Sequence, residues 1–124
     1  LQAIKTRRGQ ADFRRRLMKA YGGKCCITGC NVKEVLEAAH INGHAKETDY
    51  STSNGLLLRA DIHTLFDLNL VGVNASGNVF PSDKHKGTEY WHLNGRPVST
   101  PENESDRPDE HALGAQFVAV VSSE

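Results

Sequence analysis

The sequence predicts an α+β fold: a basic N-terminal helix, a β-hairpin, a polar loop and a second helix, with a small hairpin and a last helix added behind. Three observations predict it. Two segments repeat apolar residues at the helical period, short apolar runs bounded by turn residues lie between them, and the turn signals are Gly, Asn and Ser clusters at element ends. At 124 residues the chain favours a single domain, long enough for a small core.

Taken in order, Gln10 to Tyr21 reads as a helix, because Phe13, Leu17 and Ala20/Tyr21 recur along one face while arginines occupy the others. Gly22-Gly23 is its stop signal. Lys24 to Ile27 reads as a short β-type run before a Thr28-Gly29 turn, and Val35 to Ile41 as a second extended segment ending near His40. Asn42 to Asn54 is polar and reads as a loop, and Gly55 precedes the apolar burst Leu56-Leu57-Leu58. From Ala60 to Leu68 the pattern is helical, with Ile62, Leu65 and Phe66 on one side. Leu70–Val73 and Val79–Phe80 flank a turn and read as a hairpin. Glu89–Leu93 is expected to be a further short strand before an Asn94-Gly95 turn. Asp106 is expected to cap a final helix near Pro108–Val118, with proline in its first turn.

With 38% hydrophobic and 24% charged residues, the composition is not that of a disordered chain. No apolar run approaches the roughly 20 residues of a membrane span, no signal-peptide pattern opens the chain, and a cytoplasmic setting is expected. The first residue is Leu, so the chain is expected to be the C-terminal part of a longer protein. The formal net charge is zero, but it hides an asymmetry. Up to residue 24 there are eight basic residues against Asp12 alone, and the remaining residues carry seven basic and fourteen acidic ones. A basic helix of this kind suits a phosphate backbone, through counterion release, and Arg14, Arg15 and Lys19 are the candidate contacts. The three cysteines, Cys25, Cys26 and Cys30, lack the second pair that a tetrahedral zinc site needs, and read as buried thiols next to a turn.

Hydrolysing a phosphodiester needs a water nucleophile, a base for its proton and positive charge against the developing negative charge. His63 and Asp67 lie four apart on the second helix and project from one face, a common spacing for two metal ligands. His40, at the end of an extended segment, has the near-neutral titration a general base requires. The Asn54 side-chain amide is able to pin a loop by hydrogen bonds to backbone. Each of these has an ordinary structural explanation alone. Their order and spacing together carry the reading: His40, thirteen residues, Asn54, eight residues, His63, three residues, Asp67.

That order, with Glu37-Ala38-Ala39-His40-Ile41, Asn54-Gly55-Leu56-Leu57-Leu58-Arg59 and Asp61-Ile62-His63-Thr64-Leu65-Phe66-Asp67, resembles the HNH endonuclease family, in particular a bacterial subgroup. Arg7–Arg14 and Cys26-Ile27-Thr28-Gly29-Cys30 extend the likeness. The resemblance implies a ββα-metal core, in which a hairpin and one helix hold a single divalent metal, Mg²⁺ or Mn²⁺ foremost, with Ni²⁺, Co²⁺ or Zn²⁺ as alternatives. It also implies DNA cleavage, in restriction or defence, with 5′-phosphate and 3′-hydroxyl products. By the same resemblance, His40 is the base, Asn54 holds its loop, His63 and Asp67 are the ligands and Arg59 reaches the scissile phosphate. Two departures stand out. Ala39 occupies a position where many relatives carry a further ligand, and the second cysteine pair of a structural zinc is missing, so no such zinc is expected. An upstream recognition domain and pairing of two copies are expected partners. The alternatives are a catalytically degenerate nucleic-acid-binding module, for which Ala39 speaks, and a nuclease acting on RNA. His44 is a rival base, and His85, His92 and His111 are read as incidental.

Overall fold

The computed structural model describes residues 2–43 and 47–124. The element order is helix α1 (Gln2–Ala20), strand β1 (Leu36–His40), strand β2 (Gly55–Arg59), helix α2 (Ala60–Asp67), strands β3 (Val71–Val73) and β4 (Val79–Pro81), and helix α3 (Glu110–Ser122), with short 3-10 turns between. This is the expected α+β fold, with a ββα unit formed by β1, β2 and α2.

Helix α1 starts earlier than its apolar period indicated, because residues 2–9 carry no apolar stripe to announce them. Phe13 and Leu17 are fully buried. The end of the helix is the expected glycine stop. Gly22 and Gly23 both take positive φ, and their N–H groups donate to the carbonyls of Lys19 (3.3 Å) and Met18 (2.8 Å), closing the left-handed cap that favours glycine.

β1 and β2 pair antiparallel, with Leu36 opposite Arg59 and His40 opposite Gly55. α1 packs on this hairpin from one side and α2 packs on it too, so Leu56, Leu57 and Leu58 are all fully buried. A strand covered on both faces reads as a continuous apolar run and loses the alternation of a half-exposed strand. Gly55 is required by contact: a Cβ there would lie 2.6 Å from Phe13 Cζ and 2.7 Å from Leu17 Cδ1.

α2 begins directly after β2 and buries Ile62 and Phe66, one turn apart. It ends on Asn69, a non-glycine residue in the left-handed region, with Leu70 N–H donating to Leu65 carbonyl at 2.8 Å. The chain then forms the expected β3–β4 hairpin. α3 lies across β3, where Gln116 donates through Nε2 to the carbonyls of Phe66 (3.2 Å) and Val71 (2.9 Å). No helix among the described residues is long and apolar enough to cross a membrane.

Three expectations for local structure are corrected. Lys24–Ile27 is a turn, not a strand: Cys25 N–H donates to Cys30 carbonyl (2.9 Å) and Gly29 N–H donates back to Cys25 (2.9 Å), which closes the chain on itself. Cys25 and Cys26 are buried beside this turn, and burial pushes the Cys26 thiol well above its usual range. Glu89–Leu93 is a 3-10 helix capped by Thr88, because the edge of β4 is taken instead by residues 95–97 through Val79 N–H to Arg96 carbonyl and Gly95 N–H to Val79 carbonyl. The last helix starts at Glu110. Asp109, not Asp106, is its cap, accepting from Ala112 N–H at 3.0 Å, while Asp106 sits in a separate turn and Pro108 precedes the helix.

The tight approach at Gly55 makes a stability prediction. Gly55→Ala should lower the unfolding free energy by about 1–3 kcal/mol through overpacking against Phe13 and Leu17. A chemical-denaturation midpoint equal to the wild type would mean that α1 gives way at no cost.

Candidate active site

His40 closes β1 with its ring stacked on Phe13, centroids 4.4 Å apart and planes within 10°, and edge-on to Tyr50 at 5.5 Å. Its Nε2 is buried and has no hydrogen-bond partner among the described residues. Desolvation, then the nearby His63, lowers the His40 pKa, while Asp49 and Asp67 oppose the shift. The neutral imidazole is therefore favoured, which is the form a proton acceptor needs.

Asn54 is 5% exposed and its amide is fully used. Oδ1 accepts from Asn42 N–H at 2.9 Å, and Nδ2 donates to the carbonyl of Asp49 at 3.0 Å. Its own backbone carbonyl accepts from Ile41 N–H at 2.9 Å. One residue thus ties both sides of the loop that follows His40. His44 lies outside the described residues.

His63 projects from α2 between two carboxylates. Its Nδ1 is 2.8 Å from Glu37 Oε1 and its Nε2 is 3.2 Å from Asp67 Oδ2. Glu37 and Ala39 share one side of β1 by the strand period, and this side meets α2. A neutral imidazole has one N–H, so only one of the two carboxylates receives a proton from the ring.

Residues 25–74 match the family model described as HNH endonuclease. Over that segment the chain resembles an HNH-type domain. A solved structure of a modification-dependent TagI restriction endonuclease has the same fold over 86% of this chain, with a TM-score of 0.65 and 16% identity. The chain spans 36% of that structure's length. No curated protein matches the chain.

Within this segment α2 brings His63 and Asp67 together, and their facing Nε2 and Oδ2 atoms are at a separation that two donors to one divalent cation can have. The third position is where the donor set falls short. Ala39 is 0% exposed and offers no donor, Glu37 is turned to the opposite ring nitrogen of His63, and no group of three ligating side chains forms among the described residues. The described residues do not make a complete cation cage.

The candidate phosphate contacts fall into two groups. Arg59 is held bidentately by Asp61, at 2.7 and 2.9 Å, and Tyr90 OH donates to the same carboxylate at 2.8 Å. The Arg59 guanidinium holds the Asp61 carboxyl down to about 2. Arg14 donates to the carbonyls of Lys33 (3.2 Å) and Leu36 (3.4 Å), bracing α1 against the start of β1. Arg15 pairs with Asp12, which also takes Arg16 at 3.1 Å. Lys19 is exposed and makes no ion pair among the described residues, and the same holds for Lys5, Arg7 and Arg8.

Sequence reasoning quoted Glu37 within its motif but gave it no role. The signal was available: a carboxylate two residues before Ala39 emerges on the same side of β1, toward the helix that carries His63.

The desolvated ring of His40 gives a measurable prediction. Its proton titration, followed by NMR of the imidazole carbons, should have a midpoint below the ordinary 6.5. The unfolded state then binds the proton more readily, so the stability held at neutral pH falls as the pH drops from the ordinary histidine range through the folded midpoint. A midpoint at or above the ordinary value would contradict the burial of this ring beneath Phe13.

Proposed function

We propose that this chain is a DNA-binding module built on an HNH-type ββα core, and that the described residues do not complete a metal site. The observation that carries the reading is the stripe of exposed cations on α1. Arg8, Arg15 and Lys19 recur at i, i+7 and i+11, on the side of the helix opposite buried Phe13 and Leu17. Lys5 joins the same side. Such a stripe tracks a phosphate backbone by displacing condensed counterions, with no need for an assembled metal.

The salt dependence of binding tests it. Affinity for duplex DNA, measured by fluorescence anisotropy, should fall linearly in log–log form against salt, and losing one phosphate contact should flatten the slope by about 0.9. Arg8→Ala and Lys19→Ala should each flatten it by about that amount. Affinity that is absent, or flat with salt, refutes DNA binding through α1.

A second reading, a metal-dependent DNA endonuclease serving restriction or defence, is favoured by one observation: the 3.2 Å approach of His63 Nε2 to Asp67 Oδ2, beside a histidine kept neutral. In that reading His40 acts as the base, Asn54 fixes its loop, and His63 and Asp67 hold the cation with help from groups beyond the described residues. Plasmid nicking with Mg²⁺, Mn²⁺, Ni²⁺ or EDTA separates the two readings. Salt-sensitive binding with no metal-dependent nicking supports the binding module. Nicking that needs metal and drops about 10²–10⁴-fold in His40→Ala supports the endonuclease.

A further inference from the structure

A cleft of about 620 Å³ runs between the end of β1 and helix α3, with His40 and Asp67 on one wall and His111 on the other. The sequence alone sets His111 apart from any site, since it lies 71 positions beyond His40. Folding brings the two imidazoles to one cavity, because α3 is anchored beside the end of α2 by Gln116.

The chemistry of the cleft is lopsided. Its two carboxylates already have partners: Asp109 accepts from Ala112 N–H at 3.0 Å, and Asp67 faces His63 Nε2 at 3.2 Å. Gln116 Nε2 is spent on the carbonyls of Phe66 and Val71, but two other nitrogen donors of the cleft are unspent among the described residues. His111 is exposed and makes no hydrogen bond or ion pair among the described residues, and the side-chain amide of Asn69 makes none either. A ligand rich in acceptors and poor in donors is the complement of such a set, and a phosphodiester oxygen is an acceptor only. Along α3 the cleft is lined by Ala112, Ala115 and Ala119, which leave room for a nucleotide unit.

We propose that His111 is a nucleic-acid contact, donating from its imidazole to a backbone phosphate of a strand seated in this cleft. The proposal rests on the DNA-binding reading above and extends it from the α1 stripe to the C-terminal helix. It places His40 and His111 on either side of the same nucleotide unit.

The test is fluorescence anisotropy with a fluorescein-labelled oligodeoxynucleotide, single-stranded and annealed to its complement, at constant low salt. His111→Ala should weaken binding about five- to tenfold, the loss of one hydrogen bond to a charged oxygen. His111→Gln, whose amide still donates, should recover most of that loss. His92→Ala removes an exposed histidine outside the cleft and should bind as the wild type does. Position 111 is exposed in the first turn of α3, where alanine suits the helix, so the variant is expected to fold. Binding by His111→Ala within twofold of wild type overturns the proposal while leaving DNA binding in place. So does a loss that His111→Gln fails to restore, or one that His92→Ala shares. A wild-type chain that binds no DNA overturns the DNA-binding reading and this proposal with it.

Discussion

The ring of Phe13 touches two things at once, and the arrangement of the site follows from that. One edge lies where a Cβ on Gly55 would sit, so α1 is pressed onto the start of β2. One face lies flat against the imidazole of His40, the residue paired with Gly55 across the ladder. Burial of the ring gives about 1.5–3 kcal/mol of hydrophobic stabilisation. The same burial strips solvent from His40 and favours its neutral form. A core contact and the protonation of a candidate base are thus one interaction seen from two sides.

Electrostatics in this chain are decided by local geometry more than by counts. The N-terminal excess of positive charge is real, yet part of it is consumed within the fold. Arg14 braces backbone carbonyls, Arg16 reaches Thr52 Oγ1 and the Tyr50 carbonyl (both 2.7 Å), and Asp12 draws Arg15 and Arg16 together. Exposed pairs of the Asp12 type contribute little to stability. Arg59 differs, because its planar group is matched by both oxygens of Asp61, with Tyr90 closing the network.

Much of the core was legible because burial leaves a periodic trace. Ile62 and Phe66 mark α2, the Leu56–Leu58 run marks a strand covered on both faces, and Gly22-Gly23 marks the end of α1. The errors share a cause. Lys24–Ile27 and Glu89–Leu93 have apolar residues suited to a strand, but a strand also needs a free ladder edge, which no single segment reveals. In the site, His63 and Asp67 were readable from one helical turn, and the amide of Asn54 from its chemistry. The partners that complete these arrangements were not. Glu37 against His63, and His111 across from His40, depend on packing between elements far apart in the chain.

The Gln116 side chain has a bearing on where this module ends. The family likeness stops at residue 74, yet the carbonyls of Phe66 and Val71, both inside that span, receive hydrogen bonds from a residue more than forty positions later. Gly72 also lacks a side chain where Gln116 Oε1 and Val120 come closest. A chain shortened to the span of family likeness would leave those carbonyls without that donor and bare the apolar side of β3. The boundary drawn by family likeness is therefore narrower than the boundary drawn by hydrogen-bond accounting, and α3 is part of the folding unit on the second count.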